Sequence, residues 1–204
     1  MRQLAIERAG RGVSAADGTT KAKIERAALT LFAENGIDGV STKQIAAKAG
    51  ISEGAIYRHF FSKEELAKSL MKAIHERLTE MIIVAQEHEG LENQIKFIIN
   101  HYCQIADDDW TLFRYHLLHL YHFPRLSDDP DRTPQRAAAK LLETAMSRGD
   151  IPKADPDLLA AMSLGIVVQT AQAKNFGYID APLSSYIDIF TRAIFAVFSF
   201  LEAN

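Results

Sequence analysis

Apolar positions recur with helical spacing along almost the whole 204-residue chain. Ile24, Ala28, Leu31 and Phe32 form one stripe, and it stops at Asn35-Gly36, a helix C-cap signal. From Ser62 the series Leu66, Leu70, Ile74, Leu78, Met81/Ile82 and Ala85 predicts a single helix over 62–89. At 1.5 Å per residue it would be roughly 40 Å long, enough to join two bodies. Further helices are predicted over 91–106, about 109–121, 134–148, 156–174 and 183–202. Breakers fall between them: Pro124 with Ser127-Asp128-Asp129-Pro130, Gly149, Asp155-Pro156, and Gly177 with Pro182. Asp155-Pro156 is a good helix start, an Asp N-cap followed by Pro in the first turn. No strand-like alternation of any length and no repeat of fixed period occurs, so the pattern predicts an all-α fold.

Two places match the capping box, Ser41 with Gln44 and Ser62 with Glu65, where each partner satisfies an orphan amide. Between them, residues 41–60 read as two short helices joined through Gly50. Gly50 can take the positive φ of a sharp turn, and Ala46 lets the second helix cross closely. Ile45, Ala49, Ile51 and Ile56 supply the buried side. At 100° per residue from Glu53, Ile56 and Phe60 face inward and Arg58 falls opposite, beside Gly54 and Ala55. Tyr57 and His59 lie on the flanks. This is the pattern of a helix-turn-helix, whose second helix enters the major groove of DNA. Periodicity alone also allows a solvated helix hairpin in an ordinary bundle.

The motifs I-x-x-A-A-x-x-L-F-A-x-x-G and I-A-x-x-A-G-I-S-x-G-A-I-Y-x-H-F-x-S-K-E-x-L, in residues 24–66, resemble the DNA-binding domain of the tetracycline-repressor (TetR/AcrR) family of transcriptional regulators. The resemblance implies an N-terminal three-helix DNA-binding domain, with a C-terminal helical domain for ligand binding and dimerisation. It implies a homodimer on a palindromic double-stranded DNA operator, regulated by a small-molecule effector. Carried over by position, Thr42 and Lys43 would touch phosphate, as would Ser52, Tyr57 and His59. Lys63 would add a phosphate contact aided by the N-terminus of the long helix. Glu53, Gly54, Ala55 and Arg58 are left to face bases. Arg58 suits guanine, Ala55 a thymine methyl and Glu53 cytosine, although an acid is also favoured in any first helical turn.

Charge and cysteine content narrow the class rather than define it. The chain carries 23 basic and 26 acidic residues, for a net charge of −3. Residues 1–66 hold 10 Lys and Arg against 8 Asp and Glu, and the remainder 13 against 18. A mildly basic head on an acidic body is compatible with nucleic acid at one end, and predicts only a moderate salt dependence. Cys103, the single cysteine, excludes an internal disulfide and a Cys-rich zinc site. Residues 1–18 are predicted to be a mobile tail without a signal-peptide core, 19–66 the DNA-binding domain, and 67–204 the effector and dimerisation domain. No apolar stretch reaches a membrane span, so a cytoplasmic protein is expected.

The predicted helices at 156–174 and 183–202 are apolar around most of their circumference, which argues for burial on two sides. In the family the corresponding helices form the dimer interface; the plainer alternative is that they fill a monomer core. The segment 110–123 is dense in aromatics and histidine. Trp110, Phe113, His116, Leu117 and Leu120, with His101 and Tyr102 a helix earlier, are candidates to line a pocket for an apolar or aromatic ligand. His116, His119 and His122 recur every three residues, so two of them could ligate one metal. Asp107-Asp108-Asp109 reads as a solvated turn and helix cap. No phosphate loop, G-x-S-x-G elbow or H-E-x-x-H motif occurs, so neither catalysis nor a cofactor is expected. The expectation is a homodimeric DNA-binding regulator, a repressor released by a small apolar or aromatic ligand. The alternatives are a metal-responsive regulator of the same fold and a helical protein–protein interaction module.

Overall fold

Thr19 opens the first helix by accepting a hydrogen bond from the Ala22 amide, and Gly36 closes it at φ 73°. The computed structural model describes residues 18–123, 126 and 129–200. Residues 1–17 of the predicted tail, the breakers at Pro124 and Ser127-Asp128, and the last two residues of the 183–202 helix therefore lie outside the described residues. Helix α1 is Thr20–Asn35, α2 Thr42–Ala49, α3 Glu53–Ile56, α4 Lys63–Ala85, α5 Leu91–Asp108 and α6 Trp110–His119. Then follow α7 Pro134–Arg148, α8 Pro156–Asn175, a 3-10 turn Leu183–Tyr186 and α9 Ile187–Phe200. No strand occurs among the described residues, and the architecture is all-α. No described helix is long and apolar enough to cross a membrane.

Two compact bodies result. The first takes the described residues up to Arg77 together with Asp109–Leu126. Ile24, Leu29, Phe32, Ile45, Ile56, Leu66, Leu70 and Met71 form its core with Phe113 and Tyr115 of α6. The Tyr115 ring lies 6.1 Å from that of Phe32, and its hydroxyl donates to the Ala67 carbonyl of α4 at 2.7 Å. Asp109 acts twice. One oxygen accepts from the Leu112 amide (3.1 Å) as the N-cap of α6, and the other accepts from Arg26 of α1 (2.6 Å). A cap was expected of this acidic run; the link to α1, 83 residues away, is not visible in local sequence.

The second body takes Leu78–Asp108 and the described part of Ser127–Asn204. Here α8 packs on α7 and α9, and α9 on α5. Leu159, Ala160, Val167 and Ala171 are buried on α8; Phe190, Ile194 and Phe198 are buried on α9. The long helix is shorter than predicted. It ends at Ala85, and the chain turns through residues 86–88 on i→i+3 bonds, from Gln86 to Ile83 and from His88 to Ala85. The last helix also starts differently. Both carboxylate oxygens of Asp107 accept amides, from Leu183 (2.9 Å) and Ser184 (3.0 Å), and the chain makes one 3-10 turn there before α9 begins.

His116 is enclosed in the first body, 5.7 Å centroid to centroid from His75. Burial, reinforced by the neighbouring His75, drives its pKa from 6.5 down to about 3. The unfolded chain therefore binds a proton between these values that the folded chain excludes. The stability contributed by neutral His116 is complete above pH 6.5 and is lost as pH falls toward 3. The drop in melting temperature between pH 7.5 and pH 5 should be larger for the wild type than for His116→Gln. Tyr115→Phe should lower stability by about 1 kcal/mol in urea unfolding at pH 7.5, the value of one buried hydrogen bond.

Candidate nucleic-acid interface

Helix α2 is fixed at both ends by its own sequence. The Ser41 hydroxyl accepts from the Gln44 amide (3.2 Å), and the Gln44 side chain accepts from the Ser41 amide (2.8 Å), completing the predicted capping box. At the other end Gly50 adopts φ 69°, ψ 37°, a left-handed conformation costly for any residue with a Cβ. The Gly50 amide bonds to Ala47 and the Ile51 amide to Ala46, closing the helix in a Schellman motif. The chain then reverses into α3, whose Ile56 is 1% exposed.

Helix α3 is shorter than its pattern implies. Regular helix covers Glu53–Ile56, and the chain continues as a turn in which the amides of His59 (2.9 Å) and Phe60 (3.0 Å) both bond to the Ile56 carbonyl. Ser52 makes no side-chain cap, so little local energy extends this helix. Tyr57 nevertheless remains right-handed (φ −67°, ψ −11°), and the predicted faces survive. Ile56 and Phe60 are buried, while Tyr57, Arg58 and His59 are exposed.

Lys43, Ser52, Glu53 and Gly54 are also exposed, whereas Thr42, Ala55 and Lys63 are half-buried. A Cβ built on Gly54 would meet nothing within 4 Å, so a large partner can approach the backbone there. Thr42 joins the two short helices: its hydroxyl bonds to the Glu53 carboxylate at 2.5 Å and lies 3.3 Å from the Tyr57 hydroxyl. The second capping box is displaced by one residue. Ser62 Oγ accepts from the Glu65 amide (3.1 Å) as expected, but the Glu65 carboxylate accepts from Phe61 rather than Ser62. Lys63 stands among these acids, its Nζ 4.0 Å from Glu64. The backbone amide and Ser62 hold the Glu64 carboxyl below its usual pKa. Beside this group Phe61 is 91% exposed, off the inward face that the helical layout gives Ile56 and Phe60.

Residues 24–70 match the family of bacterial regulatory proteins described as the tetR family. Over these residues the chain is similar to tetR-family regulatory proteins. The chain is 33% identical over 76 residues to the nucleoid occlusion factor SlmA of Glaesserella parasuis, covering 37% of this chain and 38% of that protein. It is 33% identical over 88 residues to the class A tetracycline repressor of Escherichia coli from transposon 1721, covering 43% of this chain and 32% of the repressor. The chain thus spans well under half the length of both relatives. Over a larger part, 84% of this chain and 96% of the other, its fold matches the transcriptional regulator FadR of Bacillus subtilis, solved in complex with stearoyl-CoA. The TM-score is 0.73 at 20% identity.

The second body contains a cavity of about 80 Å³. Its walls include Ile82, Ile99, Leu142, Leu164 and Val167, together with Tyr102 and Ser163. Of the candidate ligand residues, Tyr102 lines this cavity. His101 is half-buried, its Nδ1 2.9 Å from the Phe97 carbonyl and its ring tilted against the Phe97 ring at 4.0 Å between centroids. Phe113, His116 and Leu117 are buried in the first body, Trp110 stacks on Phe113 at 5.7 Å, and Leu120 is half-buried at the end of α6. Of the histidine triplet, buried His116 faces His75, while His119 approaches the Phe32 carbonyl at 3.4 Å and lies 5.8 Å, ring to ring, from exposed His122. Among the described residues no group of three or more His, Cys, Asp or Glu is placed to hold a metal ion.

Ser41→Ala removes the acceptor for the Gln44 amide at the start of α2. It should cost about 1 kcal/mol, the usual value of an N-cap hydroxyl, read as a lower urea midpoint at unchanged m-value.

Proposed function

We propose that the chain is a homodimeric DNA-binding repressor, working in the cytoplasm, that leaves a palindromic operator when a small apolar or aromatic effector occupies its second body. The observation that carries the DNA-binding part is the outward row Gly54, Tyr57, Arg58 and His59, on a turn fixed by buried Ile56 and Phe60. Small residues allow close approach to the groove, Arg58 reaches base edges, and the flanking Tyr57 and His59 meet phosphates with Lys43 and Ser52. Glu53, Ala55, Thr42 and Lys63 complete the interface. Thr42 and Glu53 act mainly on each other, through the hydrogen bond between them.

Dimerisation is supported by Leu158 and Met162 on α8 and Ile189 on α9, which are exposed large apolar residues on helices that bury their other faces. A second copy using the same surfaces would form an isologous interface. Two recognition turns would then read half-sites one helical turn of DNA apart. The cavity supports the effector part, and α4, which contributes residues to both bodies, is the continuous element through which its occupancy would act. Coupling requires the ligand to favour the dimer state that fits DNA less well.

Arg58→Ala should weaken operator binding by about 10- to 100-fold at fixed salt, the loss of one bidentate base contact, with the dimer intact. Fluorescence anisotropy with labelled operator reads this, and unchanged affinity would remove Arg58 from base reading. Lys43→Ala should weaken binding to all sequences and reduce the slope of log K against log salt by about 1. A protein with no salt-dependent DNA binding would instead be a helical interaction module. Met162→Glu should shift the sedimentation of the wild-type dimer to that of a monomer.

A further inference from the structure

The cavity in the second body is lined by apolar side chains and two hydroxyl-bearing ones, Tyr102 and Ser163, and no charged residue lines it. Two charges near its lining in sequence, Glu80 beside Met81 and Arg132 two residues before Pro134, are paired with each other at 3.7 Å. An anionic head drawn inside would find no charged partner among the lining residues and would lose its hydration. Ser163 supplies the second observation. It is buried, and its Oγ has no hydrogen-bond partner among the described residues. Other hydroxyls on these helices behave differently: Thr170 and Thr191 each donate back to a helix carbonyl, at 2.7 and 2.8 Å. Ser163 does not fold back in this way, and a buried hydroxyl without a partner is costly to a folded protein.

Resting on the effector reading above, we infer that the cavity takes an uncharged, mainly apolar molecule carrying one alcohol or carbonyl oxygen, and that Ser163 is the residue that hydrogen-bonds it. A carboxylate, or a ligand whose charged group must enter the cavity, is excluded. Tyr102 and the aliphatic walls supply shape and desolvation, while Ser163 sets the direction in which the ligand lies. The same hydroxyl can donate to a carbonyl or accept from an alcohol, so the class is defined by neutrality and a single polar atom.

Three probes with one skeleton test this by isothermal titration calorimetry on the full chain: propylbenzene, 3-phenylpropan-1-ol and 3-phenylpropanoate. The wild type should bind the alcohol, and the carboxylate should bind at least about 100-fold more weakly. Ser163→Ala should weaken the alcohol about fivefold, one ordinary hydrogen bond, and leave propylbenzene unchanged or tighter. The apo variant should melt no lower than the wild type, since the orphaned hydroxyl is gone. Equal affinity of alcohol and carboxylate would overturn the neutral ligand class. An unchanged alcohol affinity in Ser163→Ala would overturn the anchor. Failure of all three probes to bind would overturn the effector cavity itself, and the inference with it, while leaving DNA binding to its own test.

Discussion

The burial of Ile56 beneath α2 is the constraint on which the rest of the interface depends. A four-residue helix has no stability of its own in water, because its nucleation cost is never recovered by propagation. Helix α3 exists because Gly50 turns the chain sharply enough to bring Ile56 into the core already built by Ile24, Phe32 and Ile45. Phe60 closes the following turn from the same side. With these two side chains held inward, the exposed row at 54, 57, 58 and 59 has little freedom left. Its orientation is thus set by hydrophobic burial a few ångströms behind it rather than by polar contacts within it.

The second body is built by a different logic. Helices α8 and α9 each bury one face against their neighbours and leave apolar residues exposed beyond them. Leu158, Met162 and Ile189 remain outside, and a charge-free cavity remains within. Two acids fix the starts of its later helical segments. Asp107, at the end of α5, takes the two amides that open the final helical segment, and Asp155 takes those that open α8.

Much of the fold was legible because local rules and tertiary packing agree. The Ser41–Gln44 box, the Gly36 and Gly50 caps, Asp155-Pro156 and the bounds of α7 all follow from residues within one turn of each boundary. The inward and outward faces of 53–60 were legible for the same reason. What escaped has a common cause. The early end of α4, the short α3, the 3-10 start of the last segment and the Arg26–Asp109 pair are decided by partners distant in sequence or by weak local competition. The aromatic and histidine richness of 110–123 suggested a pocket lining, but composition cannot say which body a helix joins. Phe113, Tyr115 and His116 fill the core against α1 and α4, and the cavity draws its walls from elsewhere. Ser163 carried no signal in an apolar helix, since a serine there reads as filler until its hydroxyl is seen to lack a partner.

The hydrogen bonds that join Thr42 to Glu53 and Tyr57 have a further consequence for how this surface would meet a polyanion. The free protein already satisfies these groups internally, so a phosphate arriving beside Thr42 trades one hydrogen bond for another instead of adding one. The gain in enthalpy at that position is therefore small, and the net cost or gain is carried by the carboxylate of Glu53, which the exchange releases. An acid set loose next to DNA is repelled by any backbone that comes too close and tolerated only where a base offers it a proton donor. In the proposed DNA-bound state this would act as a built-in penalty, falling on wrong sequences more heavily than on the right one.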